Sequence, residues 1–451
     1  MSELVKIRVM KNENVMKFIF IRTFPLILKI DTIAWSFIVI KKVWLIGLLL
    51  LCAVPAQASA QSDELIFQLK TLEAMTSEVR GLEIREDVEA QFHSREDMLA
   101  EFAYIPYDFG TYDPIRAFYM TFDLITDPTL NINALVSEMN GHSVGGYYDL
   151  FEKNINVVLE TGDTPGDTLT PFEQIVYVHE FTHALQDQHF ELQELMWDYG
   201  DTTEGFNALL ALIEGDAMYM QEQFTQQASK ANSALLDVRL VGENRVPDDS
   251  IPAIIRAELY LPYLDGMAFV KALYDAGGWE QVNAAYDNPP TSTEHILHPE
   301  RYLADDKPIH VLVNNVFNAF EHDDWERITR DTFGEFYLRQ FLSTQLDARS
   351  VDRAATGWGG DEYIAYHNET KDKQAFVMRI AWDSQRDSVE FADAFATFAA
   401  LRTVDNGTTH EDITCWVDSE DAFCLQMLEG DSLIARAPTM TVARAMIAAQ
   451  S

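Results

Sequence analysis

Residues 170–190 read TPFEQIVYVHEFTHALQDQHF. The stretch opens with three helix-start signals that agree: Thr170 as N-cap, Pro171 at the first helical position and Glu173 three residues after the cap. A helix is expected to run on through the apolar Ile175, Val176 and Val178 into His179. Four residues along a helix is a rotation of about 400°, so His179 and His183 leave nearly the same face, one turn apart. Two imidazoles so placed reach a single Zn²⁺ at about 2.0–2.1 Å. Glu180 lies about 100° round the helix. It is poorly placed to ligate beside both histidines but well placed to touch a water held by the ion, which is the physical content of H-E-x-x-H. Without a ligand, two histidines and a glutamate on this apolar segment would leave costly polar groups to satisfy.

A catalytic zinc takes three protein ligands and keeps one position open. Two residues compete for the third place. His189 stands at the spacing of H-E-x-x-H-x-x-G-x-x-H, the metzincin pattern, in which a glycine turns the chain back. Gln186 occupies the glycine position. Glutamine does not take a positive φ cheaply, and ALQDQ reads as continued helix, which carries His189 off the metal face. Glu214, in ALIEGDA, sits 31 residues after His183 among Leu209, Leu210, Leu212 and Ile213. A carboxylate in so apolar a helix needs a partner, and a metal provides one. The expected ligand set is His179, His183 and Glu214.

H-E-x-x-H followed on a later helix by E-G-x-A resembles the gluzincin metallopeptidases, the thermolysin-like clan. The longer strings HEFTHALQDQHF, ALIEGDA and STEHILHPERYL look like a poorly characterised group of exported bacterial proteins within it. The resemblance spans roughly residues 143–303. It implies zinc on His179, His183 and Glu214, with Glu180 as general base. Residues 145–160 read as a β-hairpin, and the resemblance implies that an upstream hairpin strand, here GGYYDLFEKNINVV (145–158), holds an extended peptide by strand addition. A later His or Tyr that stabilises the oxyanion is implied as well, and His298 matches the longer string better than His295 does. Thermolysin has an aspartate four residues beyond its ligand glutamate. Met218 stands there in this chain, Asp216 is the nearest acid, and Asp187 is the alternative support for a ligand histidine.

Outward from this centre, KKVWLIGLLLLCAVPAQASA (41–60) has the basic start, short apolar run and small-residue exit of a secretory signal, with cleavage expected after Ala60. The apolar run is short for a membrane span, so no stable span is expected after cleavage. Met16 is an alternative start, and Leu51 before Cys52 argues against a lipoprotein signal.

The 451 residues carry a net charge of −39. Residues 1–60 hold 8 Lys+Arg and 3 Asp+Glu, so the remainder keeps 25 basic against 69 acidic side chains, a charge of −44. Such a surface repels phosphate backbones and excludes nucleic acid as a partner; a peptide or protein substrate is expected instead.

Cys415 and Cys424 flank WVDSEDAF, read as strand, polar turn, strand. Counting out from Ser419 and Glu420 sets the two cysteines opposite each other, so a disulfide is expected in an exported chain.

The expected fold class is α+β. A mostly helical zincin-like core (141–350) with its active-site helix and upstream hairpin follows an N-terminal α/β segment (61–140), a candidate pro-segment. A small C-terminal α+β domain (351–451) follows, with TGWGGDEY (356–363) as the boundary turn.

Two other functions compete with the peptidase reading. GHSVG (141–145) matches the G-x-S-x-G nucleophile elbow, but that motif needs a strand before it and a helix after it. Here a helical run precedes Ser143 and a hairpin follows, so Ser143 reads as a turn residue. A peptidase-like binding protein that cuts nothing is the other alternative; Glu180 argues against it, since a structural metal site needs no base.

Overall fold

We describe the protein from a computed structural model, over residues 61–103, 114–228, 230, 251–320, 324–368 and 370–450. The expected signal segment, with Met16 and Cys52, lies outside these residues. Among them no helix is long and apolar enough to cross a membrane. The fold is mixed α+β.

The N-terminal part runs α1 (Asp63–Arg80), β1 (Glu89–His93), α2 (Arg95–Ala103), α3 (Pro114–Thr121), α4 (Ile132–Ser143), β2 (Gly146–Asp149) and β3 (Asn154–Val158). The helical centre follows: α5 (Pro171–Phe190), α6 (Leu192–Tyr199), α7 (Thr203–Ala228), α8 (Ala253–Tyr260), a π-turn (Leu261–Asp265), α9 (Gly266–Asp287), α10 (Thr293–Leu297) and α11 (Pro299–Leu303). The last part comprises β4 (Trp325–Asp331), α12 (Gly334–Ser343), α13 (Ala348–Ala355), β5 (Trp358–Asn368), β6 (Lys373–Trp382), α14 (Gln385–Thr403), β7 (Thr408–His410), β8 (Ile413–Val417), β9 (Ala422–Met427), β10 (Asp431–Ala437) and α15 (Met440–Ala448).

The start signals of α5 act as read. The Thr170 hydroxyl accepts from the Glu173 N–H and the Glu173 carboxylate accepts from the Thr170 N–H, a reciprocal capping box with Pro171 behind it. The helix runs unbroken through Gln186 to Phe190, so no turn swings His189 back. Helix α7 is buried on nearly every side from Thr203 to Tyr219, as a core helix must be when it is apolar all round.

The hairpin expected at 145–160 is β2 and β3, antiparallel, with Gly146 opposite Val157. β1 adds to it in parallel, giving a three-stranded sheet ordered β1-β3-β2 with β2 at an edge. Ser143 ends a helix and a strand follows it, the reverse of a nucleophile elbow.

The N-terminal segment is built into the centre. The Arg80 guanidinium donates to both carboxylate oxygens of Asp216 at 2.7 and 2.9 Å, with both side chains fully buried. Tyr177 donates to Glu73 at 2.9 Å. A freely detachable pro-segment is not what these contacts describe.

The seven-stranded antiparallel sheet is ordered β4-β5-β6-β10-β9-β8-β7. Its strands bury alternate residues on opposite faces. Phe376, Met378, Phe423 and Ile434 face the core shared with α14 and the central helices; Val377, Cys415, Cys424 and Leu433 face the core shared with α15. Cys415 pairs with Cys424 in register and the two form a disulfide. Phe376, Trp382, Phe391, Phe395 and Phe398 are core.

The expected boundary at 356–363 is corrected. Trp358 onward is β5, an interior strand paired with both β4 and β6, and β4 brings the sheet's start back to Trp325. The glycines that read as a turn serve a close approach instead: a Cβ on Gly360 would lie 2.1 Å from the Ile309 carbonyl oxygen. The sheet docks on the N-terminal part through Arg436, which donates to the Met120 and Thr121 carbonyls and pairs with Asp123 there and with Asp421 of the β8–β9 turn.

Candidate metal centre

Helix α5 carries His179 and His183 and helix α7 carries Glu214. The His179 Nε2 lies 3.2 Å from the His183 Nε2. Glu214 Oε2 lies 3.3 Å from the first and 3.5 Å from the second. These three are the one group of three or more His, Cys, Asp or Glu among the described residues whose donor atoms converge closely enough to hold a metal ion. Tetrahedral bonds of about 2.0–2.1 Å set ligand atoms roughly 3.3–3.4 Å apart. The observed triangle has that size, and two imidazole nitrogens with one carboxylate oxygen are a donor set zinc accepts. The residues fit the ion.

The electrostatics agree. Burial alone would raise the Glu214 carboxyl, but the charges and hydrogen bonds of His183 and His179 outweigh it and hold the group down at about 2. Burial would lower the His183 ring, and Glu214 overrides this to push it up to about 9. The pair is thus poised as a buried imidazolium–carboxylate whose charge a divalent cation can replace.

Glu180 lies beside this triangle. Burial raises its carboxyl above the ordinary range, opposed by His179 and His183, and the Tyr148 backbone N–H donates to it. The strand is close because Gly146 has no side chain: a Cβ there would lie 2.6 Å from Val176 Cγ1 and 3.3 Å from Glu180 Cγ. Glycine plays the same part after Glu214. A Cβ on Gly215 would lie 2.2 Å from the Gly266 carbonyl, so α7 and the start of α9 touch backbone to backbone. This contact seats the preceding π-turn against α7.

The π-turn presents Tyr263. Its ring centroid is 6.5 Å from that of His179. Burial, with Glu214 and Glu180 nearby, drives its phenol well above the ordinary value, so the hydroxyl keeps its proton. Sequence reading missed this residue. The available signal was Pro262 inside a helical run, since a residue without an N–H disturbs the i→i−4 ladder and π-turns gather at such places.

Other expected residues fall elsewhere. His189 Nε2 bonds the Glu83 carbonyl at 2.8 Å, away from the triangle. His298 Nε2 lies 3.1 Å from Glu335 Oε1, and His298 is not among the converging donors. Asp216 is taken by Arg80 and by Tyr286, which donates to it at 2.8 Å. Asp187, the expected support for a ligand, instead accepts from Tyr148 at 2.9 Å and pairs with Lys153. The support for His183 comes from Gln186, whose Oε1 lies 2.8 Å from His183 Nδ1.

Residues 322–446 match a family described as a domain of unknown function (DUF8575). The match covers the seven-stranded sheet and its helices and stops short of the metal triangle. No curated protein matches the chain significantly. No solved structure does so either.

Proposed function

We propose that the protein is an exported zinc-dependent peptidase with a gluzincin-type, zincin-like core. The observation that carries this reading is the triangle of His179, His183 and Glu214 with zinc-sized edges and Glu180 beside it. When bound, zinc supplies Lewis acidity and brings a water's pKa toward about 7.

The chain's own groups then divide the work. Glu180, whose carboxyl burial raises above its ordinary value, takes a proton from the attacking water and delivers it to the leaving amine. Tyr263 donates a hydrogen bond to the carbonyl oxygen as that atom gains charge. The substrate lies along β2. The Val158 N–H donates to the Gly145 carbonyl, so residues 145, 147 and 149 turn their backbone groups toward β3. Gly146 therefore turns its N–H and carbonyl, and Tyr148 its carbonyl, to the outer edge, where an extended peptide adds as a strand and passes the base. The Cys415–Cys424 disulfide supports an oxidising destination.

The test is zinc content and peptide hydrolysis by the purified chain and three variants. Glu180→Gln is expected to keep the metal and lose roughly 10²–10⁴-fold in hydrolysis. Glu214→Ala is expected to lose the metal, and His189→Ala to change neither. Zinc stripped by His189→Ala and retained by Glu214→Ala would overturn the ligand set. Full cleavage by Glu180→Gln would overturn the mechanism, and a zinc-loaded wild type that cleaves nothing would leave a peptidase-like binding protein.

A further inference from the structure

Gln186 is fully buried one helical turn beyond His183 and touches both halves of the metal centre. Its Nε2 donates to the Ile213 carbonyl at 3.0 Å, in the residue next to Glu214, and its Oε1 lies 2.8 Å from His183 Nδ1. The chemistry of these partners settles the orientation of the amide. A backbone carbonyl can only accept, so the amide nitrogen must face Ile213 and the amide oxygen must face the ring. That oxygen can only accept as well, so the ring nitrogen opposite it must carry a proton.

We propose that Gln186 is the positioning residue of the metal centre. It fixes His183 as the Nδ1–H tautomer and ties it to the backbone beside Glu214, so that ligands from two helices keep a common spacing. The neutral ring then presents the Nε2 lone pair to the point that His179 Nε2 and Glu214 Oε2 also face. The helix neighbour four residues on, Asp187, cannot take this place because Tyr148 and Lys153 occupy it. A carboxylate at 186 could accept from the ring but would set a second acceptor against the Ile213 carbonyl; an amide satisfies both. The residue that denies the chain a metzincin-type turn is thus the one that orients its second ligand.

This inference rests on the zinc reading for its consequence but not for its geometry, and the test separates the two. The first measurement is ¹⁵N NMR of histidine-labelled, metal-free full chain at a pH where the His183 ring is neutral. Wild type is expected to show His183 protonated at Nδ1; protonation at Nε2 overturns the proposal whether or not zinc binds. The second is zinc affinity by competition with a chromogenic chelator, alongside the melting temperature of the metal-free form. Gln186→Leu is expected to weaken zinc by roughly 10–100-fold. Gln186→Glu, which keeps the ring's acceptor and loses the Ile213 tie, is expected to fall between the two and to retain the Nδ1–H form. A folded Gln186→Leu with wild-type affinity overturns the positioning role. Should Gln186→Leu fail to fold, Gln186→Glu and the wild-type spectrum decide: a Glu variant bound as tightly as wild type overturns the tie to Ile213. A wild type with no zinc affinity overturns the peptidase reading while the tautomer measurement still judges Gln186.

Discussion

Tyr148 and Glu180 meet where the edge strand crosses the metal-bearing helix: the strand's backbone N–H donates to the carboxylate proposed as the base. One hydrogen bond therefore joins the element that would hold substrate to the group that would move the proton. It exists because Gly146 lets β2 lie directly on α5.

Gly146→Ala tests that closeness. The added carbon would stand 2.6 Å from Val176 Cγ1 and 2.7 Å from the Asn156 carbonyl oxygen, so strand or helix must move. Overpacking of this kind costs about 1–3 kcal/mol. The expected outcome is a lower denaturation midpoint and reduced hydrolysis with zinc content unchanged, read by urea titration and metal analysis.

Tyr263→Phe removes the expected oxyanion donor and leaves its ring. A fall in kcat of about 10²-fold is expected, with zinc retained. His298→Ala should cost less, because His298 Nε2 is engaged with Glu335. Steady-state kinetics of both variants check the assignment, and the reverse order would return the role to His298.

Arg80 and Asp216 form an ion pair with no water access, and the Trp279 ring covers the guanidinium, its centroid 4.4 Å from Cζ. Arg80→Met leaves Asp216 buried without its cation. Breaking one side of such a pair costs about 3–5 kcal/mol. The expected result is a large loss of stability in urea unfolding, and a chain beginning after β1 should not fold. An active, stable chain lacking residues 61–93 would restore the pro-segment reading.

Glu294 carries the pH prediction. Burial pushes its carboxyl up to about 8, helped by Asp383, Glu335 and Asp306 and opposed by Arg301. The folded state thus holds a proton that the unfolded chain releases above the ordinary value of 4.5. This stability is fully present below that value and is lost as pH rises through about 8. Melting temperature should fall between about pH 4.5 and 8 and level off above that, and Glu294→Gln should flatten that slope.

Local features were legible before any coordinates. The capping box of α5, the shared face of His179 and His183, the hairpin at 145–160 and the Cys415–Cys424 register all depend on residues within a few positions of one another, where helix and strand periods decide geometry. Glu214 was legible as a buried carboxylate in want of a partner. Tertiary structure decided who meets whom. Asp216 goes to Arg80, 136 residues away, and Asp187 goes to Tyr148, while Gln186 takes His183 and reaches across to Ile213. Packing also turned the glycine-rich 357–360 from an apparent linker into the entry to an interior strand, because β6 and the Ile309 backbone supply what its own propensity lacks. A side chain's type states which partners it needs; only the approach of distant segments selects among them, since several groups of the right chemistry compete for each.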